Sequence, residues 1–135
     1  MTAFRTSPER FATELAARLD KVVPRGLSVR AEGTSVNVCA ATDDRHASAG
    51  AELIGEQDGR TLAERAEAAA WGILDGAQDG VMEILREQWP LGRDGKAVDA
   101  GIRVEGNQLL MWFGDEHAPV IALPPLNLDD LDSAA

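Results

Sequence analysis

The sequence predicts an α+β protein. It implies an antiparallel sheet assembled from two helix-plus-hairpin units, roughly α-β-β-α-β-β-β, with a long second helix packed on the sheet. Three observations predict this. Val29-Arg30-Ala31-Glu32-Gly33-Thr34, followed by the apolar Val36 and Val38, reappears as Ile102-Arg103-Val104-Glu105-Gly106-Asn107, followed by Leu109 to Phe113. Each copy reads as a hairpin whose turn is built on Glu-Gly, with apolar and polar residues alternating on either side. Each follows a segment of helical periodicity that closes on a Val-Pro or Trp-Pro pair.

The first helix opens at Ser7-Pro8-Glu9. Ser7 suits the cap, Pro8 has no N–H to lose at the first helical position, and Glu9 favours the positive end of the helix dipole. Phe11, Leu15, Leu19 and Val22 form one apolar stripe, with Arg10, Glu14, Arg18 and Lys21 on the outer face. Val23-Pro24-Arg25-Gly26 ends it. Leu27, Val29 and Ala31 then alternate with polar residues as a half-buried strand, and Val36, Val38 and Ala40 do so on the return. Residues 41 to 60, with three glycines and few large apolar side chains, read as a long loop holding at most a short strand at Ala51 to Ile54.

Thr61-Leu62-Ala63-Glu64 fits a capping box. From there Leu62, Ala66, Ala69, Ile73, Ala77, Val81 and Ile84 trace one helical track, and Trp89-Pro90 stops it. About 28 residues would span roughly 42 Å, long for a chain of this size, so a break is expected between Asp75-Gly76 and Asp79-Gly80. Residues 92 to 100 are a polar linker before the second hairpin. Leu109-Leu110-Met111-Trp112-Phe113 is apolar on both faces, which suits a strand covered on both sides or lying against a partner. Ala118 to Leu123 reads as one more strand, ended by Pro124-Pro125. The whole of 1–135 reads as one domain, with residues 127–135 a frayed acidic tail.

The chain of 135 residues carries a net charge of −10, unevenly placed. Residues 1 to 30 hold six basic and three acidic side chains, while the remaining 105 hold seven basic and twenty acidic. Such a balance repels phosphate backbones and anionic lipid, which argues against nucleic-acid and membrane partners. Cys39 is the one cysteine, so no intramolecular disulfide and no cysteine-based metal cluster forms. The N-terminus lacks the apolar core of a signal peptide, and no apolar run reaches a membrane span. A cytoplasmic protein is expected.

Few constellations suggest chemistry. Gly72, Gly76 and Gly80 recur every four residues in the second helix, each costing about 0.5–1 kcal/mol relative to Ala. They are read as a seam for close approach of another element or subunit. Asp75, Asp79 and Glu83 also recur every four residues, but no His accompanies them and the spacing is not that of a calcium loop, so a solvated face is expected and no metal. His46, in the loop after Asp43-Asp44, and His117, beside Asp115 in a turn, are the candidate polar site. Trp71 and Trp89 are read as packing at the edges of the second helix's apolar face, and Trp112 as a core residue or an interface anchor. Nucleophile and phosphate-loop motifs are absent, and no cofactor is expected.

The order of elements, the small size and the acidic charge are similar to the secretion-chaperone type of α+β fold. Proteins of that type are commonly dimers that bind extended segments of a client, which implies a protein partner or a homodimer here. The segment from Met111-Trp112-Phe113-Gly114 to Leu123-Pro124-Pro125 resembles uncharacterised small acidic α+β proteins of high-GC Gram-positive bacteria, in keeping with the Ala and Arg bias. The leading expectation is a non-enzymatic protein-binding or chaperone-like protein with Gly72, Gly76, Gly80 or Trp112 at its interface. The alternative is a small enzyme or ligand-binding domain with a pocket between the two hairpins, using His46, His117 or Asp115.

Overall fold

The computed structural model describes residues 7–40, 46–50 and 59–131, with the backbone alone described for 46–50. Helix α1, Pro8–Asp20, begins as its sequence dictates: Ser7 Oγ accepts the Arg10 N–H at 3.2 Å, with Pro8 in the first turn. Phe11, Leu15 and Leu19 are fully buried, and Val22 packs at the edge of the core. Strands β1 (Leu27–Glu32), β2 (Ser35–Ala40) and β3 (His46–Gly50) follow as one antiparallel sheet in that order. The helix α2 covers Leu62–Leu85, and its N-terminus carries the capping box, with Thr61 Oγ1 accepting from Glu64 N–H and Glu64 Oε1 from Thr61 N–H.

A second sheet is built from β4 (Ala100–Glu105), β5 (Gln108–Asp115) and β6 (Ala118–Ala122), with β7 (Leu126–Asn127) beside the first residues of β5. The two hairpins turn alike. Gly33 and Gly106 both have φ of +60°, and neither Thr34 nor Asn107 has a positive φ. A positive φ at the first central residue alone is the II′ pattern, which matches the twist of the flanking strands and favours glycine there.

The single sheet expected from the repeat is corrected. Among the described residues no ladder joins the hairpins, and they form two antiparallel sheets. Both nonetheless bury their apolar faces in one cluster: Val29, Val36 and Val38 from the first, Leu109, Met111 and Phe113 from the second. Leu27, Ile102 and Val104 pack against it half-buried. Helix α1 lies on β1 and β2, whereas α2 lies on β2 and β3 and also on β4, so that α2 spans both sheets. The packing of the long helix is as predicted, but it serves two sheets.

Three boundaries differ from the sequence reading. Helix α2 runs unbroken through residues 75–80 and ends at Leu85, four residues short of Trp89, with Arg86 closing it at φ +56°. Trp89 instead packs its ring 5.4 Å from that of Phe113, and the buried Gln78 donates from Nε2 to the carbonyls of Trp89 and Val98. Those bonds bring the segment after the helix back along it. The third strand is β3 at 46–50, within the stretch read as loop, and the strand expected at 51–54 lies outside the described residues.

The third difference is the C-terminal segment, expected to fray from residue 127. Leu126, Leu128 and Leu131 are buried, the last two in a 3-10 turn over Leu128–Leu131. Leu131 C=O accepts the Ser7 N–H at 2.9 Å, and the Arg18 guanidinium donates to the carbonyls of Pro124 and Pro125 at 2.9 and 3.0 Å. Arg18 is thus a half-buried clamp and not an outer-face charge. Three leucines spaced two and three apart are enough apolar surface to hold six residues on the core.

Candidate functional site

The N-terminal half of α2 sets the geometry. Arg60 precedes the helix, and Glu64, Glu67, Ala68 and Trp71 follow at helical spacings of four, three, one and three, which aligns all five on one side. That side faces the outer edge of β4. Together with Ile102 these residues line an open groove of about 540 Å³. Trp71 is half-exposed at 51%, one of the few large apolar side chains left on the surface.

The edge of β4 is partly closed by a side chain. Val104 N–H points away from β5 and donates to Glu67 Oε1 at 3.1 Å. Alternate residues of an antiparallel strand present their N–H and C=O on the same side, so Ile102 and Ala100 turn theirs outward as well. Among the described residues no backbone group pairs with those two on that side. Among the described residues β4 is therefore an edge strand with one amide capped, and Ile102 of that strand shares the groove with Ala68 and Trp71. The first hairpin has the same device: Val29 N–H on β1 donates to Asp20 Oδ1 at 2.9 Å. In both units a carboxylate from the preceding helix occupies an edge amide, a way of blunting strand edges.

The residues singled out from the sequence do not converge on this groove. Gly72 lies next to Trp71, and a Cβ built on it meets no heavy atom of the described residues within 4 Å, so no close packing accounts for that glycine. Gly76 is half-buried and Gly80 buried. Trp112 is half-buried on the outer face of the second sheet, opposite Leu109, Met111 and Phe113. Its indole lies against Gly101, where an added Cβ would fall within 2.3 Å of the ring. Trp112 thus fills the space a side chain at Gly101 would take, which identifies it chiefly as a packing residue.

The two histidines belong to different sheets. His46 opens β3 in register with Cys39 instead of lying in a loop, and its side chain is outside the described set. His117 sits exposed in the turn between β5 and β6, its N–H donating to Asp115 Oδ1 at 3.0 Å. Asp115 there shapes a turn with its carboxylate, and neither residue lines the groove. Among the described residues no group of three or more His, Cys, Asp or Glu side chains is disposed to hold a metal ion. No helix of the described residues is long and apolar enough to cross a membrane.

Asp75 has a displaced titration. Burial pushes its pKa upward, and the negative charges of Asp79 and Asp99 add to the effect. Glu83 is exposed farther along the same helix. Asp79 is exposed as well, whereas Asp75 is half-buried and lies one helical turn beyond the groove residue Trp71.

Trp71 is exposed and does not pack at the core edge, as its place on the helix requires. At 100° per residue it lies 200° from both Ala69 and Ile73, on the far side of the apolar track. Glu67 carried no signal, because its role depends on a strand 37 residues away. Comparison of the chain with known protein families, characterised proteins and solved structures finds no match. The likeness to secretion chaperones rests on element order, size and charge alone.

Proposed function

We propose that this chain is a non-enzymatic, chaperone-like protein-binding module of the bacterial cytoplasm, and that its binding surface is the groove between α2 and the outer edge of β4. The observation that carries this reading is the outward backbone of Ile102, without a strand partner among the described residues, in one groove with the half-exposed Trp71. An edge strand offers main-chain hydrogen bonds to any extended segment, and side-chain pockets beside it supply selectivity. Trp is enriched where binding energy concentrates, because it buries much area at little entropic cost. Ala68 keeps the floor of the groove low enough for a backbone to approach.

Selection of extended peptides from a displayed library tests the reading. Selected binders should lose about tenfold in affinity on Trp71→Ala and on Ala68→Trp, the loss of an ordinary interface contact. They should be indifferent to Val120→Ser on the second sheet. Binders insensitive to both groove substitutions, or a selection that yields none, would overturn it.

The homodimer expected from the sequence has a different surface, the outer face of the second sheet, where Leu110 and Trp112 are half-buried. Sedimentation of the wild type against Leu110→Glu tests it directly. A dimer that Leu110→Glu dissociates supports this interface, and a monomeric wild type removes it.

A further inference from the structure

We infer that residues 126–131 are a detachable strap, and that the slot they fill beside α1 and β5 is a second docking site, which takes a partner segment with leucines spaced two and three apart. The site is separate from the β4 groove and stands without it. The chemistry of its occupant is read from the segment already seated there.

The strap lies between the two units of the fold. Helix α1 packs on the first sheet, whereas β7 pairs with β5 of the second at Leu126↔Leu109 and Asn127↔Gln108. On that side Leu128 N–H also donates to Asn107 C=O at 2.8 Å. On the other side Leu131 C=O accepts from Ser7 N–H at the start of α1, and the carbonyls of Pro124 and Pro125 accept from Arg18 near its end. The strap thus runs antiparallel to α1. Leu126, Leu128 and Leu131 are buried, while Asp129 and Asp130 face water. A bound peptide sits in this way, with backbone bonds along a strand, apolar side chains inward at fixed spacing and polar ones outward.

Its attachment lets it leave as a unit. Leu123 N–H still donates to Met111 C=O, and pairing with β5 resumes at Leu126. Pro124 and Pro125 between them have no N–H to give, so two exposed residues without ladder donors separate the strap from β6. Their carbonyls are held by the guanidinium of Arg18, which Glu14 anchors from α1 through its carbonyl at 3.0 Å and its carboxylate at 3.1 Å. Release of the strap leaves the three-stranded ladders of both sheets intact, and water replaces its partners at the surface. A partner segment has to supply two things. Arg18 needs carbonyls, which every residue carries, and the buried positions need leucine at the first, third and sixth places. Selectivity therefore lies in the leucine spacing.

The test uses the full chain and an end-blocked peptide, Leu-Pro-Pro-Leu-Asn-Leu-Asp-Asp-Leu, the sequence of residues 123–131. In the wild type alone the Leu128 and Ser7 amides should exchange together, at least about a hundredfold faster than the Leu123 amide, because they open with the strap and Leu123 does not. Arg18→Gln should speed both and leave Leu123 unchanged. Excess peptide should speed Leu128 exchange further by holding the strap out, and a peptide with Ser in place of its last two leucines should have no effect. The variant Leu128→Ser/Leu131→Ser, whose own strap fills the slot poorly, should bind the peptide at least about tenfold more tightly than wild type, since the peptide no longer competes with a tethered segment. One common exchange rate for Leu128, Ser7 and Leu123 would make the segment part of the core and overturn the strap. A strap that opens while excess peptide leaves Leu128 exchange unchanged would overturn the docking site, whether or not the double variant folds. Dependence of Leu128 exchange on protein concentration without peptide would assign the slot to a second copy and overturn the partner class.

Discussion

Glu67 Oε1 accepts the backbone N–H of Val104 at 3.1 Å, joining the second helix to the edge of a strand 37 residues later in the chain. The bond does two things. It satisfies an amide that has no strand partner on that side among the described residues, and it ties α2 to β4 beside the groove. Glu67→Ala should cost about 0.5–1.5 kcal/mol, the ordinary net value of such a bond, and should speed exchange of the Val104 amide. Glu67→Gln keeps an acceptor oxygen and should lie close to wild type. Chemical denaturation of the two variants checks this, and an Ala variant as stable as the Gln variant would show that the bond holds nothing.

Trp112 and Gly101 face each other across β4 and β5 so closely that a Cβ on Gly101 would lie 2.3 Å from the indole. Gly101→Val should therefore displace the ring and destabilise by about 1–3 kcal/mol. Trp112→Ala should also destabilise, through lost packing, but should erase most of the penalty of the Val substitution in the double variant. A double-mutant cycle measures this, since residues in contact are not additive. Strict additivity of the two losses would refute the contact.

Gly72 occupies a helix interior, and a Cβ on it would meet no heavy atom of the described residues within 4 Å. Gly72→Ala should stabilise by about 0.5–1 kcal/mol, because the methyl group removes unfolded-state freedom and meets nothing. A thermal melt decides it. A lower melting temperature would restore the idea that this glycine serves a seam.

Asp75 provides the pH dependence. Its folded pKa is raised above the ordinary 3.8 by burial and by Asp79 and Asp99. The folded state then holds the proton more tightly than the unfolded one. The stability this contributes is fully present below about pH 3.8 and is lost as pH rises through the raised value. Asp75→Asn should accordingly be more stable than wild type at pH 7, with the difference shrinking on acidification towards pH 4. Melting temperatures of both proteins across that range check the sign, and a constant difference would remove Asp75 as its source.

Much of the local structure was legible in the residues. Ser7-Pro8 and Thr61 with Glu64 capped the helices as read, because a cap needs only partners within three positions. The Glu-Gly repeat specified two like turns, since a positive φ at Gly33 and Gly106 is a property of those residues alone. The apolar faces of both hairpins went inward as the alternation required. The end of α2 was not legible. Gln78 draws the Trp89 carbonyl back along the helix, and no window of neighbouring residues reveals that bond.

What the sequence by itself determined is therefore two capped helices, two Glu-Gly hairpins with the faces they bury, and an α+β composition. Only the tertiary structure decided which strands pair. It split the hairpins into two sheets, set α2 across both, folded Leu126 to Leu131 onto the core and left Trp71 exposed in a groove beside Ile102 of β4. The reason is range. Periodicity, capping and turn dihedrals act over a few residues and leave their mark in order. Strand partnership and the coverage of an edge depend on groups such as Glu67 and Val104, which chain distance separates and only folding brings together.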